Sequence, residues 1–153
     1  MILNDLLARY NVFTNLVVKS GEKELPKELK VKVMRIRMAY NKIKKAFDSE
    51  LKEFTEELLT EEFRNLVSKT DRTSEENDKL KSLSDIMDSE YQEFLTQKGR
   101  EEVTMIDDTF TLDEYSEILE VNAGIDVQIG KIPIPSMQFM DLVYELFVKE
   151  DEV

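Results

Sequence analysis

Two adjacent carboxylates, Asp107 and Asp108, come nearest in this sequence to a catalytic or metal-ligating group. With Glu101, Glu102 and Asp126 they offer the hard oxygen ligands that Mg²⁺ or Ca²⁺ takes. Their order matches no EF-hand loop, which sets its ligands in a D-x-D-x-D-G pattern. The competing assignment is structural: the pair ends a strand and precedes a helix N-terminus, where negative charge is favoured. The rest of the inventory is restrictive. The chain has no His and no Cys, which removes Ser-His-Asp and Cys-His nucleophiles, imidazole and thiolate metal sites, and disulfides. The glycines at 21, 99, 124 and 130 match neither G-x-G-x-x-G nor G-x-x-x-x-G-K-[ST], so kinase and P-loop readings fail. Trp is absent too, and with it the stacking platform usual around paired sugar-cleaving carboxylates. The expectation is therefore no catalytic residues, no cofactor, no bound metal and no enzymatic activity.

Charge is the next resource. Over the whole chain it is −12, but through residue 45 there are eleven Lys/Arg against four Asp/Glu, and beyond it ten against twenty-nine. Lys23, Lys27, Lys30, Arg37 and Lys44 fall near one stripe at helical spacing. Such a stripe serves an acidic protein partner, a nucleic acid, or intrachain pairing with the acidic C-terminal segments. The net negative charge repels nucleic acid at long range, so direct binding to it is not expected. Farther on, Glu56, Glu57, Glu61 and Glu62 stand on an acidic helical surface of the kind that can imitate phosphate spacing. Lys30, Arg37, Lys44, Glu56, Glu57, Glu61 and Glu62 are the candidate partner-binding residues.

These side chains need elements to hold them. At 153 residues, with 41% hydrophobic and 35% charged residues and only four Gly and three Pro, the chain reads as one domain of long solvated helices. Leu3, Leu6, Leu7, Tyr10, Phe13, Leu16 and Val17 space an amphipathic helix from Ile2 to about Ser20, with Gly21 as its stop. Leu29, Val33, Ile36, Tyr40, Ile43, Phe47, Leu51, Phe54, Leu58 and Leu66 then form an apolar seam without Gly or Pro. That predicts one helix over 27–68, about 60 Å long. A polar break at 69–78 leads to a second stripe through Leu80, Leu83, Met87, Tyr91 and Phe94, with Ser74, Asn77 nearby, or Asp78 as its cap. A short turn between two such stripes favours an antiparallel helical hairpin over 27–98.

After Gly99 the pattern changes. Glu101–Ile106 reads as a short strand, Thr111 and Glu114 as a capping box opening a helix to about residue 122. Ile125, Val127 and Ile129 alternate as a second strand that Pro133 and Pro135 stop. Ser136 caps a last helix, and Glu150-Asp151-Glu152 forms an acidic tail. The fold class expected is mainly α: a long, coiled-coil-like antiparallel helical hairpin with a small α/β head. Residues 1–20 and 99–153 make that head, and its two short strands pair with each other. No internal repeat is visible. No run approaches a membrane span, and the N-terminus lacks the basic and small-residue features of a signal peptide, so cytoplasmic synthesis and no membrane partner are expected.

The KELPKEL opening of the long helix, the run YSEILEVNAGIDVQIGKIPI and the final PSMQFMDLVYELFV resemble a family of short tailed-bacteriophage proteins of unknown function, over residues 1–66 and 115–150. The hairpin-and-head plan is also similar to prefoldin. The phage resemblance implies a virion accessory component, an assembly factor or an acidic inhibitor of a host defence or nucleic-acid-binding protein. Its partner would be a protein, either a larger phage or host assembly or a second copy, with incorporation into a virion implied for a virion component.

Overall fold

The computed structural model describes residues 1–149, so the acidic tail at 150–152 lies outside the described residues. The chain is mainly helical, with a long helix and two small antiparallel sheets. Helix α1 spans Leu3–Phe13, and strands β1 (Lys19–Ser20) and β2 (Lys23–Glu24) form a hairpin before helix α2 (Lys27–Leu58). Helices α3 (Glu61–Ser68) and α4 (Ser74–Gly99) follow, then α5 (Leu112–Asn122), the hairpin β3 (Val127–Ile129) with β4 (Ile132–Ile134), and α6 (Ser136–Phe147). The chain forms two compact units, one of residues 1–43 and 103 onward, the other of Lys44–Glu102.

The first unit holds the core. Leu6, Phe13, Leu29, Val33, Ile36, Tyr40, Phe110, Ile118, Phe139, Val143 and Phe147 are among its buried members, each apolar one contributing about 1.5–3 kcal/mol through removal from water. Phe13 of α1 meets Phe147 of α6 edge-on at 5.4 Å and lies parallel to Phe110 at 6.2 Å. The first half of the expected seam, Leu29 to Tyr40, thus belongs to this core, with Tyr40 5.5 Å from Phe13 of α1. The short α1 and α6 carry enough Leu, Phe and Val to cover it.

The second unit is the antiparallel helical hairpin, and its register can be read from cross-pairs. Lys98 pairs with Glu50, Phe94 stacks on Phe54 at 4.2 Å, and Lys79 pairs with Glu62. Phe47, Leu51, Phe54, Leu58, Phe63 and Leu66 are only half-buried, as are Leu80, Leu83, Met87, Tyr91 and Phe94 opposite. Two helices alone cover each other's stripes on one side only.

Several sequence expectations need correction. The helix predicted over 27–68 is interrupted at Leu59 and Thr60. Thr60 is extended, and its hydroxyl accepts from the Phe63 N–H, so a side-chain cap followed by Glu61 and Glu62 restarts the helix without Gly or Pro. The cap of α4 is Thr73, in a capping box with Glu76, and not Ser74, Asn77 or Asp78. Arg72 closes the end of α3 by donating to the Leu66 and Lys69 carbonyls. Helix α1 ends at Phe13, well short of Ser20. Val17 is instead held by Asn122, whose Oδ1 accepts from the Val17 N–H at 2.9 Å and whose Nδ2 donates to the Val17 carbonyl at 3.1 Å. Ser136 begins α6, but the cap position is Pro135 and makes no side-chain cap bond.

The strands also pair differently. Residues 103–109 form no strand, and Val127–Ile129 pairs with Ile132–Ile134, including Pro133 opposite Gln128. A two-stranded sheet has a free edge on each strand, where a proline's missing N–H costs nothing. Gly21 and Gly130 each take the first loop position of a two-residue turn, at φ +61° and +63°, with a negative φ at the residue after. That is the type II′ arrangement, whose twist matches the flanking strands.

An internal repeat emerges from these elements. α1, the β1–β2 hairpin, Pro26 and the start of α2 match α5, the β3–β4 hairpin, Pro135 and the start of α6, all at the spacing that separates Leu3 from Leu112. Both first helices have 11 residues. Identical residues at matched positions are few (Val12 and Val121, Val18 and Val127, Gly21 and Gly130 among them), which is why residue order alone conceals it.

Candidate interaction surfaces

The buried carboxylate proves to be a lock. Asp108 is almost wholly buried and bonds to side chains of both α1 and α2. Arg9 of α1 donates Nε to Oδ2 at 2.9 Å and an Nη to Oδ1 at 2.8 Å, the bidentate fork that fits a carboxylate best. The Tyr40 hydroxyl of α2 donates to Oδ2 as well. Arg9 also lies 4.7 Å from the centre of the Phe147 ring, which shields the pair from water. Burial together with the negative Asp108 pushes the Tyr40 phenol well above its ordinary pKa. Burial disfavours the Arg9 charge, yet the bonds to Asp108 outweigh it and raise the Arg9 pKa. Both Asp108 oxygens are therefore engaged by donors. Asp107 is exposed and accepts from the Thr109 hydroxyl at 3.0 Å. The two do not act as a paired ligand set, and no group of three or more metal-ligating side chains is assembled among the described residues.

The basic candidates divide between fold and surface. Lys30 pairs with Glu24 of β2, and Lys44 with Asp48 one helical turn on. Lys32, outside the proposed stripe, pairs with Glu114 at 2.8 Å. Desolvation works against the Glu114 carboxylate, but Lys32 and the Thr111 N–H more than compensate and lower its pKa. Arg37 turns inward and donates to the Leu16 carbonyl at 2.6 Å, while its Nε is buried without a partner. Arg37 is thus a structural tie between α2 and the chain after α1.

Sequence reasoning passed over a different face. Lys27, Val31, Met34, Arg35, Met38 and Lys42 recur at steps of three and four on the side of α2 opposite Leu29, Val33, Ile36 and Tyr40, and all six are exposed. Their signal was present in the spacing, but a stripe mixing Val and Met with Lys and Arg reads as neither core nor charge run.

In the hairpin unit, Glu56, Glu57, Glu61 and Glu62 are exposed. Glu62 pairs with Lys79, and the other three make no ion pair among the described residues. Glu61 and Glu62 border a shallow cleft with Asn65, Leu66, Lys69 and Glu76. Lys69 and the Thr73 N–H draw the Glu76 pKa down. No helix among the described residues is long and apolar enough to cross a membrane. No known protein-family model, curated protein or solved structure matches this chain.

Proposed function

We propose that this chain is a non-catalytic protein-binding protein, and that it serves as a virion accessory or assembly component of a tailed phage. The observation that carries the reading is the hairpin unit itself. Its two apolar stripes meet, yet no hydrophobic side chain between Lys44 and Glu102 is buried. A seam left half-wet over this length gains stability when a further surface covers it. The missing His, Cys and phosphate loops, and the engagement of both Asp108 oxygens, support a role in binding over one in chemistry. The resemblance of KELPKEL and the C-terminal runs to short phage proteins supports the biological setting.

A second reading is favoured by Glu56, Glu57 and Glu61, which are exposed and unmatched by any lysine or arginine among the described residues. It makes the hairpin an acidic inhibitor that occupies a basic, nucleic-acid-binding groove of a host protein.

Size-exclusion chromatography with light scattering, on protein purified from its native source, tests both. The expected result is a defined complex or oligomer. If it survives high salt and the fourfold reversal of Glu56, Glu57, Glu61 and Glu62 to Lys, the seam carries the contact. Loss under those two conditions selects the inhibitor reading. A monomer that brings nothing with it would sink the proposal.

A further inference from the structure

The internal repeat assigns a role to the outward face of α2. Met140, Val143 and Phe147 of α6 are 2%, 0% and 0% exposed, and α1 covers that helix, Phe13 resting on Phe147. Their matched positions in the first repeat are Val31, Met34 and Met38, which are 53%, 51% and 70% exposed. The first copy of the motif therefore keeps the apolar side chains of a helix-receiving face and lacks the helix. Lys27, Arg35 and Lys42 run along the same face and are exposed, with no ion pair among the described residues.

We propose that this face of α2 docks an acidic amphipathic helix supplied by another protein. Three features choose that occupant. The apolar centre at steps of three and four fits the i, i+3, i+4, i+7 anchors of a helix laid into a groove. Two of its three members are Met, whose flexible side chains adapt to a foreign surface. Lys27, in line with the strip at the start of α2, and Arg35 and Lys42, along one edge of it, match acidic side chains on such a helix and disfavour a basic or neutral one. A nucleic acid fits less well, since the centre of the face is apolar and has no aromatic ring for a base to stack on. A second copy of this chain fits less well too. Its exposed acidic hairpin offers only Val67 and Ile86 as exposed large apolar groups, one on each of α3 and α4.

This inference rests on the reading of the chain as a protein-binding protein, but it is tested apart from the hairpin. The probe is a fluorescein-labelled synthetic helix with Leu at the spacing of Leu3, Leu6, Tyr10 and Phe13 and Glu at the flanking positions, titrated with the full chain by anisotropy. Binding is expected, weakening about tenfold between low and high salt. The M34E/M38E variant should weaken it at least about tenfold. R35E/K42E should weaken it and flatten the salt dependence, and both variants should keep the wild-type melting curve because the four side chains are exposed. A peptide of the same composition with its Leu positions scattered should not bind. Equal affinity for wild type and M34E/M38E would overturn the proposal. So would tighter binding of duplex DNA or of phosphatidylserine vesicles to the same face, or a wild-type dimer that M34E/M38E dissolves. Any of these removes the α2 face and leaves the hairpin reading standing, whereas reversal of the four glutamates probes only the hairpin.

Discussion

At the scale of single residues, Asp108 is the side chain on which most depends. It joins Arg9 of α1 and Tyr40 of α2, residues far apart in sequence, at a point that solvent barely reaches. Asp108→Asn removes the charge and one side of the fork while the Arg9 guanidinium stays in place. Unfolding in urea should show a loss of about 3 kcal/mol, the lower end for a broken buried pair because Arg9 is partly exposed. Tyr40 adds a pH dependence whose sign is fixed. Its folded pKa lies above the ordinary value of 10.0, so its contribution is complete below that pH. It is lost as alkali carries the solution upward through the folded value, because only the unfolded chain releases the proton early. Tyr40→Phe should therefore flatten the fall in melting temperature above pH 10, while Tyr115, raised by burial and by Asp141, keeps part of the slope. The carboxylate pair was legible in the sequence as a pair and nothing more. That Asp108 turns inward and Asp107 outward follows from Phe110 two residues on entering the core, which no local pattern announces.

At the scale of elements, the two β-hairpins depend on one backbone position each. Gly21 and Gly130 hold positive φ, and no atom stands within 4 Å of where a Cβ would be in either. The cost of Gly→Ala is then purely conformational. Each substitution should lower stability by about 1 kcal/mol in thermal melts, and because the turns stand in separate sheets the two should add. Helices were the more legible elements. The stripes at 29–58 and 80–94, and the box of Thr111 with Glu114, predicted α2, α4 and α5 because a 3.6-residue period and a T-x-x-E signature are local. The same signature at Thr73 and Glu76, and the Thr60 restart, are equally local, but Ser74 and Asp78 compete with the first and an unbroken apolar stripe runs across the second. The II′ turns lay in the glycine positions too, but of the short strands only β3 carries enough alternation to be seen.

At the scale of the whole molecule, the two units should differ in how readily they open. The first has a shared buried core, whereas the hairpin rests on half-buried contacts such as the Phe54–Phe94 stack. Native-state hydrogen exchange should show amides of residues 50–95 exchanging ahead of those in α1, α6 and residues 29–40. Phe54→Ala should widen that gap by about 1–2 kcal/mol and leave the first unit's protection unchanged. Equal protection across both units would contradict the division.

The order of residues by itself determined the helical class, the antiparallel pairing of α4 with the helices before it, the polarity of charge along the chain and the narrow chemical inventory. All of these are set by composition and by periods of three to four residues. Tertiary structure alone decided which neighbours cover α2, how Asp108 is locked, that Arg37 faces inward, and that the chain carries one motif twice with a receiving face filled in one copy and open in the other. Those outcomes depend on contacts between segments a hundred residues apart, where the energy of burial, and no short-range preference, selects the partner.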